Sequence, residues 1–323
     1  MTCSVAPSCG ATLVGPRAPR TATHMAHEKT LHILAQTTSH SCVMLSCWLT
    51  WMRRMMMRDS SINYELHLQQ SNDLAMNMTD QGSFQSKAWV DAQLRKVQHV
   101  GRSLRRLPEG TFVLLTDLDV MPLNPYSRLI KNMPPTHDLM MMNNYQKHLI
   151  ANGGFYLMRN TANMRTFVDR WIREMITVGL TPRNDDQRFL NVMLMELKKR
   201  NQTLRWKTLP HELVTAKFPS RWVGPELIAF HAIGRPTARS KLQRMDEVLA
   251  RLAAIAKSDK VRRTAAVWQR PCARNAIVDS GCPAQLTQMV KQYPPAPPPA
   301  PVLSPPPLRL SVPNERNHSS AGR

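Results

Sequence analysis

The sequence predicts an α/β fold in which a mostly parallel sheet is flanked by helices. Three observations predict it: short apolar segments alternate with longer amphipathic ones, the segment TFVLLT (111–116) has an uninterrupted apolar centre, and 42% of the 323 residues are hydrophobic. A strand without polar alternation is typical of a parallel sheet that is covered on both faces. The alternation of strands and helices predicts right-handed crossovers between parallel strands.

The first half of the chain supplies three strands and two helices in turn. We interpret LHILAQTT (31–38) as the first strand and the apolar segment 41–57 as a mostly buried helix. INYELHL (62–68) alternates with a period of two residues, as a strand does when one face is covered. The segment 83–107 is interpreted as a second helix, which leads into the apolar third strand at 111–116.

The second half continues the same alternation. DLMMMNN (138–144), GGFYLMRN (153–160) and LIAFHAI (227–233) are interpreted as strands. One helix is predicted from apolar residues at helical spacing, namely Met164, Phe167, Val168, Trp171, Ile172 and Met175. A further helix begins near Asp185, and a closing helix is predicted at 241–257.

These elements define one folded domain with two extensions. We expect a disordered N-terminal segment at 1–28, a folded domain at 29–258 and a C-terminal extension at 259–323. Residues 294–313 are rich in proline, which lacks a backbone N–H and is excluded from helix and sheet interiors. We interpret this tail as a disordered spacer, with a docking ligand as the alternative.

The formal net charge is +21 at pH 7, and the excess is spread along the chain. A basic balance favours polyanionic partners, among them nucleic acid and phosphorylated ligands. Scattered charge is interpreted mainly as a solvated surface. A basic nucleic-acid-binding protein therefore stays as an alternative, although no finger, recognition-helix or RNA-recognition signature accompanies the charge.

Cysteines and apolar stretches say little about the compartment. The chain has six cysteines and no Cys-x-x-Cys pair, so a cysteine-based structural zinc site has no support. A local disulfide between Cys272 and Cys282 stays open. The most apolar stretch, CVMLSCWLTWM (42–52), is about half of the roughly 20 residues that a membrane span needs, and no signal peptide is evident.

The strongest functional signal is TDLDV (116–120), directly after the apolar third strand. In an extended segment, side chains two residues apart point the same way, so Asp117 and Asp119 are expected to converge. The carboxyl ends of parallel strands are where open α/β sheets bind ligands. Paired carboxylates suit Mn²⁺ or Mg²⁺, with two aspartates in a polar turn as the alternative.

Three further motifs follow. ANGGFYLMRN (151–160) has two glycines that allow close approach to a ligand or form a turn. NDDQRFLN (184–191) opens a helix, and Asp185 is equally consistent with a helix cap and with a site. FHAIG (230–234) ends a strand with His231, and we expect this imidazole within a few ångströms of the Asp119 carboxylate.

Taken together, the ordered set DLD, NGGF, DDQ and FHAIG resembles the nucleotide-diphospho-sugar transferase family, in particular the plant and algal glycosyltransferase family 77 group, over about residues 29–258. TDLDV is similar to its S/T-D-x-D-V motif, and NGGFYLMRN to its N-x-G-F segment. DDQRFLN resembles its D-Q-x-x-F-N segment in relaxed form, and FHAIG its F-H segment. The resemblance implies a GT-A fold with a Rossmann-like sheet.

The resemblance also implies an activity and its central residues. A sugar would pass from a nucleotide-sugar donor, usually a UDP-sugar, to a glycan or glycoprotein acceptor, with Mn²⁺ and with retention at the anomeric carbon. Asp117 and Asp119 would hold the metal, and His231 would contact the metal or the diphosphate. Asp186 and Gln187 would contact sugar hydroxyls or the transferring carbon.

Other positions carried over from the family would line the donor site. These donor-binding residues are Thr37, Thr38, Lys87, Asn152, Gly153, Gly154, Asn191 and Gly234. For Lys87, a solvent-facing lysine on a helix is the alternative.

The resemblance implies residence in the Golgi or the secretory lumen, where family members commonly carry an N-terminal membrane anchor. No anchor is evident in this sequence, so membrane association is expected only through a segment that the sequence does not show. A catalytically inactive scaffold with the same fold is a further alternative, and the intact DLD, DDQ and FHAIG motifs argue against it.

Overall fold

A computed structural model describes residues 12–14, 30–37, 42–70, 87–145, 148–181, 184–200, 203–216, 226–233 and 238–255. The strands in these ranges are β1 (Thr12–Val14), β2 (Thr30–Thr37), β3 (Asn63–Gln70), β4 (Phe112–Thr116), β5 (Val120–Pro122), β6 (Leu139–Tyr145), β7 (His148–Arg159), β8 (Trp206–Leu209), β9 (Val214–Thr215) and β10 (Ala229–His231). The helices are α1 (Cys42–Arg58), α2 (Lys87–Arg106), α3 (Ser127–Asn132), α4 (Ala162–Val178), α5 (Asp186–Arg200) and α6 (Ala238–Ile255).

The central sheet has seven strands in the order β1-β3-β2-β4-β7-β6-β8. Strand β2 lies parallel to β3 and to β4, and β6 lies parallel to β8. Strand β7 runs antiparallel between β4 and β6, because β6 and β7 are joined directly without a crossover helix. The carboxyl end of β4 therefore lies beside the middle of β7, with Thr116 opposite Phe155. A smaller sheet in the order β5-β10-β9 continues from that edge.

Helices cover both faces of the central sheet and enclose two apolar cores. One core includes Leu31, Ile33 and Leu114 of the sheet with Trp48 of α1 and Met245 of α6. The opposite core joins strand residues such as Leu34 and Val113 to residues of α2, α4 and α5. Many core positions are methionines, whose flexible thioether side chains fill irregular spaces. The predicted α/β class with flanking helices is confirmed.

The patterns in the sequence predict the long strands and helices but not the short ones. Strands β5, β8 and β9 and helix α3 have two to six residues, too few for a periodic pattern to stand out. The last predicted strand is shorter than expected, since only Ala229–His231 pairs within the predicted 227–233.

The expectation of disorder at 1–28 needs one correction. Thr12–Val14 forms a strand that pairs antiparallel with β3. The register places Thr12 opposite His67. This short strand is stabilised by its pairing with β3, and the sequence around residues 12–14 does not indicate that partner. The rest of that segment and the expected extension at 259–323, with Cys272 and Cys282, lie outside the described residues. Within the described ranges, none of the helices is both long enough and apolar enough to cross a membrane.

Candidate functional site

A tight turn at the carboxyl end of β4 presents the two aspartates of the DLD motif. The backbone N–H of Val120 donates to the carbonyl of Asp117 at 3.1 Å, which closes a four-residue turn before β5 begins. The expected convergence of Asp117 and Asp119 is present, but its cause differs from the alternation of an extended chain. The turn, which the sequence left open as an alternative, brings the two carboxylates to one side.

His231 completes a cluster with these carboxylates. Strand β10 runs antiparallel to β5 with His231 opposite Val120, and the N–H of Ala232 donates to the carbonyl of Asp119 at 2.9 Å. Nε2 of His231 lies 3.0 Å from Oδ1 of Asp119, which confirms the expected proximity. One ligand atom from each of Asp117, Asp119 and His231 lies within 4.8 Å of the others.

These three side chains fit a divalent metal ion. Two carboxylates and an imidazole are a donor set that suits Mn²⁺, which accepts both oxygen and nitrogen ligands. Asp119 and His231 are buried and Asp117 is partly exposed, so an ion can reach the cluster from one side. The structure therefore offers a possible divalent-metal site at the position that the sequence predicts.

Lys241 of α6 holds the deeper carboxylate. Its Nζ lies 2.5 Å from Oδ2 of Asp119, while His231 occupies the other oxygen. Burial by itself raises the pKa of Asp119, but His231 and Lys241 outweigh burial and hold that pKa well below its usual range. Asp119 is consequently ionised and ready to accept a cation at neutral pH.

Lys96 of α2 bridges the metal motif to the DDQ motif. Its Nζ lies 2.8 Å from Oδ2 of Asp186 and 3.6 Å from Oδ1 of Asp117. Burial favours the neutral amine, but the two carboxylates outweigh it and raise the pKa of Lys96 above its ordinary value. A buried ammonium group thus joins an acidic residue of the turn after β4 to one of α5.

Asp186 is a buried carboxylate with an unusual pKa. It is 3% exposed and lies in the first turn of α5. Burial raises its pKa to about 6, against the lowering effect of Lys96 and with a further raising effect of Asp117. The preceding Asp185 accepts from the N–H of Arg188 at 2.8 Å and so acts as the helix cap. The two adjacent aspartates therefore have different roles.

Gly154 of β7 lies against both Asp117 and His231 of the metal-ligand cluster. Its carbonyl accepts from the N–H of Asp117 at 2.8 Å. A Cβ atom at Gly154 would overlap Oδ2 of Asp117 and would lie 2.7 Å from Cε1 of His231. At Gly153 a Cβ would lie 3.1 Å from Cβ of Gln187 and 3.2 Å from Oδ2 of Asp186. The glycine pair therefore permits the close approach that assembles the site.

A network of amides fixes the strand that carries these glycines. Asn152 is buried, donates to Oδ1 of Asn144 at 2.7 Å and accepts from the N–H of Gly154 at 2.8 Å. Oε1 of Gln187 accepts from the N–H of Gly153 at 3.1 Å and from Asn144 at 3.2 Å. Asn191 bonds to both the N–H and the carbonyl of Ala151, at 2.7 and 2.9 Å, and so fastens α5 to β7.

The remaining predicted donor residues are described only in part. Thr37 is buried at the carboxyl end of β2, on the edge that carries the cluster. Lys87 is the first residue of α2, and its side chain is not described. Thr38 and Gly234 lie outside the described residues.

Two cationic side chains complete the site without having been assigned to it. Lys96 lies in the helix predicted at 83–107. Its i+4 neighbour Val100 is on the apolar face of that helix, which indicates that Lys96 also faces inward. Lys241 lies in α6, where its Nζ is placed directly against Asp119. Neither partner is close in sequence, so spacing gave no signal for the pairing.

Comparisons with known proteins identify the family of the chain. The family model described as nucleotide-diphospho-sugar transferase matches residues 38–245, more than half of the chain. No curated protein matches the chain by sequence.

Many solved structures are similar to the chain, among them the following three. A glycosyltransferase involved in the glycosylation of the major capsid of PBCV-1 is 11% identical, with 67% of this chain and 98% of that chain covered and a TM-score of 0.50. Mouse xyloside xylosyltransferase 1 is 9% identical over 62% of this chain and 97% of that chain, with a TM-score of 0.41. The galactosyltransferase LgtC, in complex with donor and acceptor sugar analogs, is 10% identical over 72% and 99%, with a TM-score of 0.41. At these identities the likeness to the first structure shows the fold, which is of the GT-A type.

Proposed function

The chain belongs to the nucleotide-diphospho-sugar transferase family and is a glycosyltransferase, and we propose that it moves a sugar from a UDP-sugar to a glycan or glycoprotein acceptor. The observation that carries this proposal is the convergence of Asp117, Asp119 and His231 at the carboxyl end of β4. Asp186 and Gln187 stand beside that cluster, where a donor sugar would have to lie. We further propose that the reaction depends on Mn²⁺ and retains the configuration of the anomeric carbon.

Asp117, Asp119 and His231 would hold the cation. Held by these residues, a divalent ion would supply positive charge to offset the negative charge that develops as the nucleotide diphosphate leaves. Lys96 and Lys241 lie within ion-pair distance of Asp117 and Asp119, and His231 and Lys241 hold the pKa of Asp119 low enough to keep that carboxylate ionised. The lysines also supply positive charge at the edge where the diphosphate would bind.

Asp186 is the side chain best placed to act on the sugar. Its carboxylate is buried, is held by Lys96 at 2.8 Å and has a pKa of about 6, so it is mainly ionised at neutral pH. An anionic group at this position would accept hydrogen bonds from sugar hydroxyls and stabilise positive charge that develops at the anomeric carbon. Gln187 is oriented by the N–H of Gly153 and would contact the same sugar.

The glycine strand would form the wall of the donor site. Gly153 and Gly154 leave no side chain between β7 and the acidic cluster, so Asp117, Asp186 and His231 can pack directly against the backbone beside the donor site. Asn152 and Asn191 would act by holding this strand in place through the hydrogen bonds described above. Thr37, Thr38, Lys87 and Gly234 stay proposed donor contacts on the nucleotide side, and residence in the Golgi stays a proposal that rests on the family alone.

A panel of nucleotide sugars tests this function. The full-length protein would be incubated with UDP-glucose, UDP-galactose, UDP-xylose and GDP-sugars, with and without Mn²⁺, and its thermal midpoint and the release of nucleotide diphosphate would be measured. A donor that binds only the folded protein raises the midpoint by mass action. We expect a rise for at least one UDP-sugar that requires Mn²⁺. Binding of a donor with equal affinity in chelator would contradict the metal requirement, and no response to any donor would contradict the proposed function.

A further inference from the structure

A second cluster of metal-ligating side chains lies in the sheet, apart from the donor site. It is formed by His32 of β2 and by Glu65 and His67 of β3. Nδ1 of His32 lies 3.0 Å from Nε2 of His67 and 3.1 Å from Oε2 of Glu65, and Nε2 of His67 lies 3.7 Å from the same oxygen. Three potential ligand atoms from two neighbouring strands thus point at one small volume.

The strand register explains how the cluster forms. Strands β2 and β3 are parallel, with His32 opposite Glu65 and Leu34 opposite His67. Glu65 and His67 are two residues apart, so their side chains leave the sheet on the same face. His32 and Leu34 share that face of β2, and Leu34 packs in the core that α2 covers. The pleat therefore aligns both imidazoles and the carboxylate under α2.

The separations match those between ligands of a tetrahedral ion. With metal–ligand bonds of about 2.0 Å, two ligand atoms of a tetrahedral zinc ion lie about 3.3 Å apart. The three distances between the ligand atoms of this cluster range from 3.0 to 3.7 Å, a range that includes that value. Two histidines and one glutamate are also an established zinc ligand set that leaves one position for water. We propose that His32, Glu65 and His67 form a binding site for Zn²⁺ or a similar borderline transition-metal ion.

The exposure of the three side chains indicates that an ion bound in this cluster could exchange with solvent. The side chains of His32 and His67 are 9% and 18% exposed, whereas that of Glu65 is 36% exposed. An ion can therefore enter past Glu65, and water can fill the fourth position. The bound ion would tie β2 to β3 through side chains, in addition to the backbone hydrogen bonds of the strand pair.

This site is distinct from the proposed donor-site metal. In the register of β2 with β4, His32 lies opposite Val113, four residues before Asp117. At about 3.3 Å per residue, four residues of strand separate the two levels by about 13 Å, far beyond the reach of one ion. The ligand sets also differ, since the donor site has two carboxylates and one imidazole. The two sites should therefore be separable by mutation.

Zinc binding is tested in a protein whose donor-site ligands are removed. The Asp117→Asn/Asp119→Asn protein is stripped with chelator, titrated with Zn²⁺ and assayed for bound zinc by mass spectrometry and for its thermal midpoint. We expect one zinc ion per chain and a higher midpoint. X-ray absorption at the zinc edge should show imidazole scattering from two histidines.

Further substitutions in that background decide whether this cluster is responsible. Glu65→Gln and His67→Ala should each lower the zinc affinity at least tenfold, and His137→Gln, in a histidine outside both clusters, should leave it unchanged. Glu65→Gln preserves size and serves if His67→Ala does not fold. Absence of stoichiometric zinc in the background protein, or zinc retained unchanged in Glu65→Gln, would overturn the proposal. Neither outcome bears on the transferase function, which is assayed by donor binding in the unmutated protein.

Discussion

Nε2 of His231 lies 3.0 Å from Oδ1 of Asp119, although the two residues are 112 positions apart in the sequence. The contact exists because β10 pairs antiparallel with β5 immediately after the DLD turn. One strand pair thus brings the FHAIG and DLD motifs to a single point. The proposed metal site depends on this pairing as much as on the aspartates themselves.

Replacement of His231 tests its role as a metal ligand. His231→Ala removes the imidazole beside Asp119, so Mn²⁺ should bind more weakly and turnover should fall by about 10²–10³, as is typical when one charge-stabilising contact is lost. The Mn²⁺ concentration for half-maximal activity and kcat at saturating Mn²⁺ measure the two effects. His137→Ala is the control, because the one hydrogen bond described for the His137 side chain is to the neighbouring Thr136. An unchanged Mn²⁺ requirement in His231→Ala would show that the imidazole does not hold the ion.

A methyl group at Gly154 should dismantle the metal site. In Gly154→Ala the new Cβ would overlap Oδ2 of Asp117 and push against the ring of His231. Overpacking of this kind typically costs about 1–3 kcal/mol of stability, and here the strain falls on two proposed metal ligands. The Mn²⁺ affinity should drop far more than in Gly153→Ala, where the nearest atoms lie 3.1 Å or more from the new Cβ. Equal Mn²⁺ affinities in the two variants would refute the packing argument.

Lys96 should control the pH dependence through Asp186. The pKa of Asp186 is about 6, so kcat/KM should rise with pH through that value as the carboxylate ionises. Lys96 lowers this pKa, and Lys96→Met should therefore shift the acidic limb to higher pH. The profile of kcat/KM against pH is the measurement, with Lys131→Met on the exposed side of α3 as the control. If the acidic limb of the kcat/KM profile has the same apparent pKa in Lys96→Met, Asp186 is not the group that titrates.

His99 of α2 should make the fold sensitive to acid. Burial, reinforced by Arg102, lowers its pKa to about 3, below the value of about 6.5 in an unfolded chain. Between these values the unfolded state binds the extra proton, so stability is full above pH 6.5 and decreases as the pH falls toward 3. For one such group the loss between pH 7 and pH 5 is about 2 kcal/mol. Urea unfolding at both pH values should show a correspondingly smaller difference for His99→Leu, and an unchanged difference would mean that other groups cause the acid sensitivity.

Most of the fold follows from local patterns in the sequence. Strands β2, β3 and β4 and helices α1, α2, α4 and α5 are long or strongly periodic, so hydrophobic spacing was sufficient to locate them. Asp117 and Asp119 were found for a similar reason, since they come directly after the uniformly apolar β4. The sequence is equally consistent with Asp185 as a helix cap and as a site residue. The hydrogen bond from the N–H of Arg188 identifies it as the cap.

The rest of the site depends on contacts that sequence spacing does not encode. Lys96 meets Asp117 and Asp186 only after α2, β4 and α5 have packed together. Lys241 reaches Asp119 across 122 positions. The His32 and Glu65 pairing likewise requires the register of two parallel strands, which neither strand specifies alone. In each case the tertiary fold, and no local propensity, determines which charges meet.

We propose that Asp117 and Asp119 hold a cation that activates a nucleotide sugar. The most direct test compares the Asp117→Asn/Asp119→Asn protein with the unmutated one in Mn²⁺-dependent turnover of the donor that the panel identifies. Asp169→Asn, in a surface ion pair with Arg105, is the matched control for the loss of a carboxylate. We predict that the double variant keeps its far-ultraviolet circular dichroism and loses turnover by at least about 10³, as expected when two charge-stabilising ligands are removed, while the control stays active. Turnover of the folded double variant near the unmutated rate would show that Asp117 and Asp119 do not hold a cation that the reaction needs.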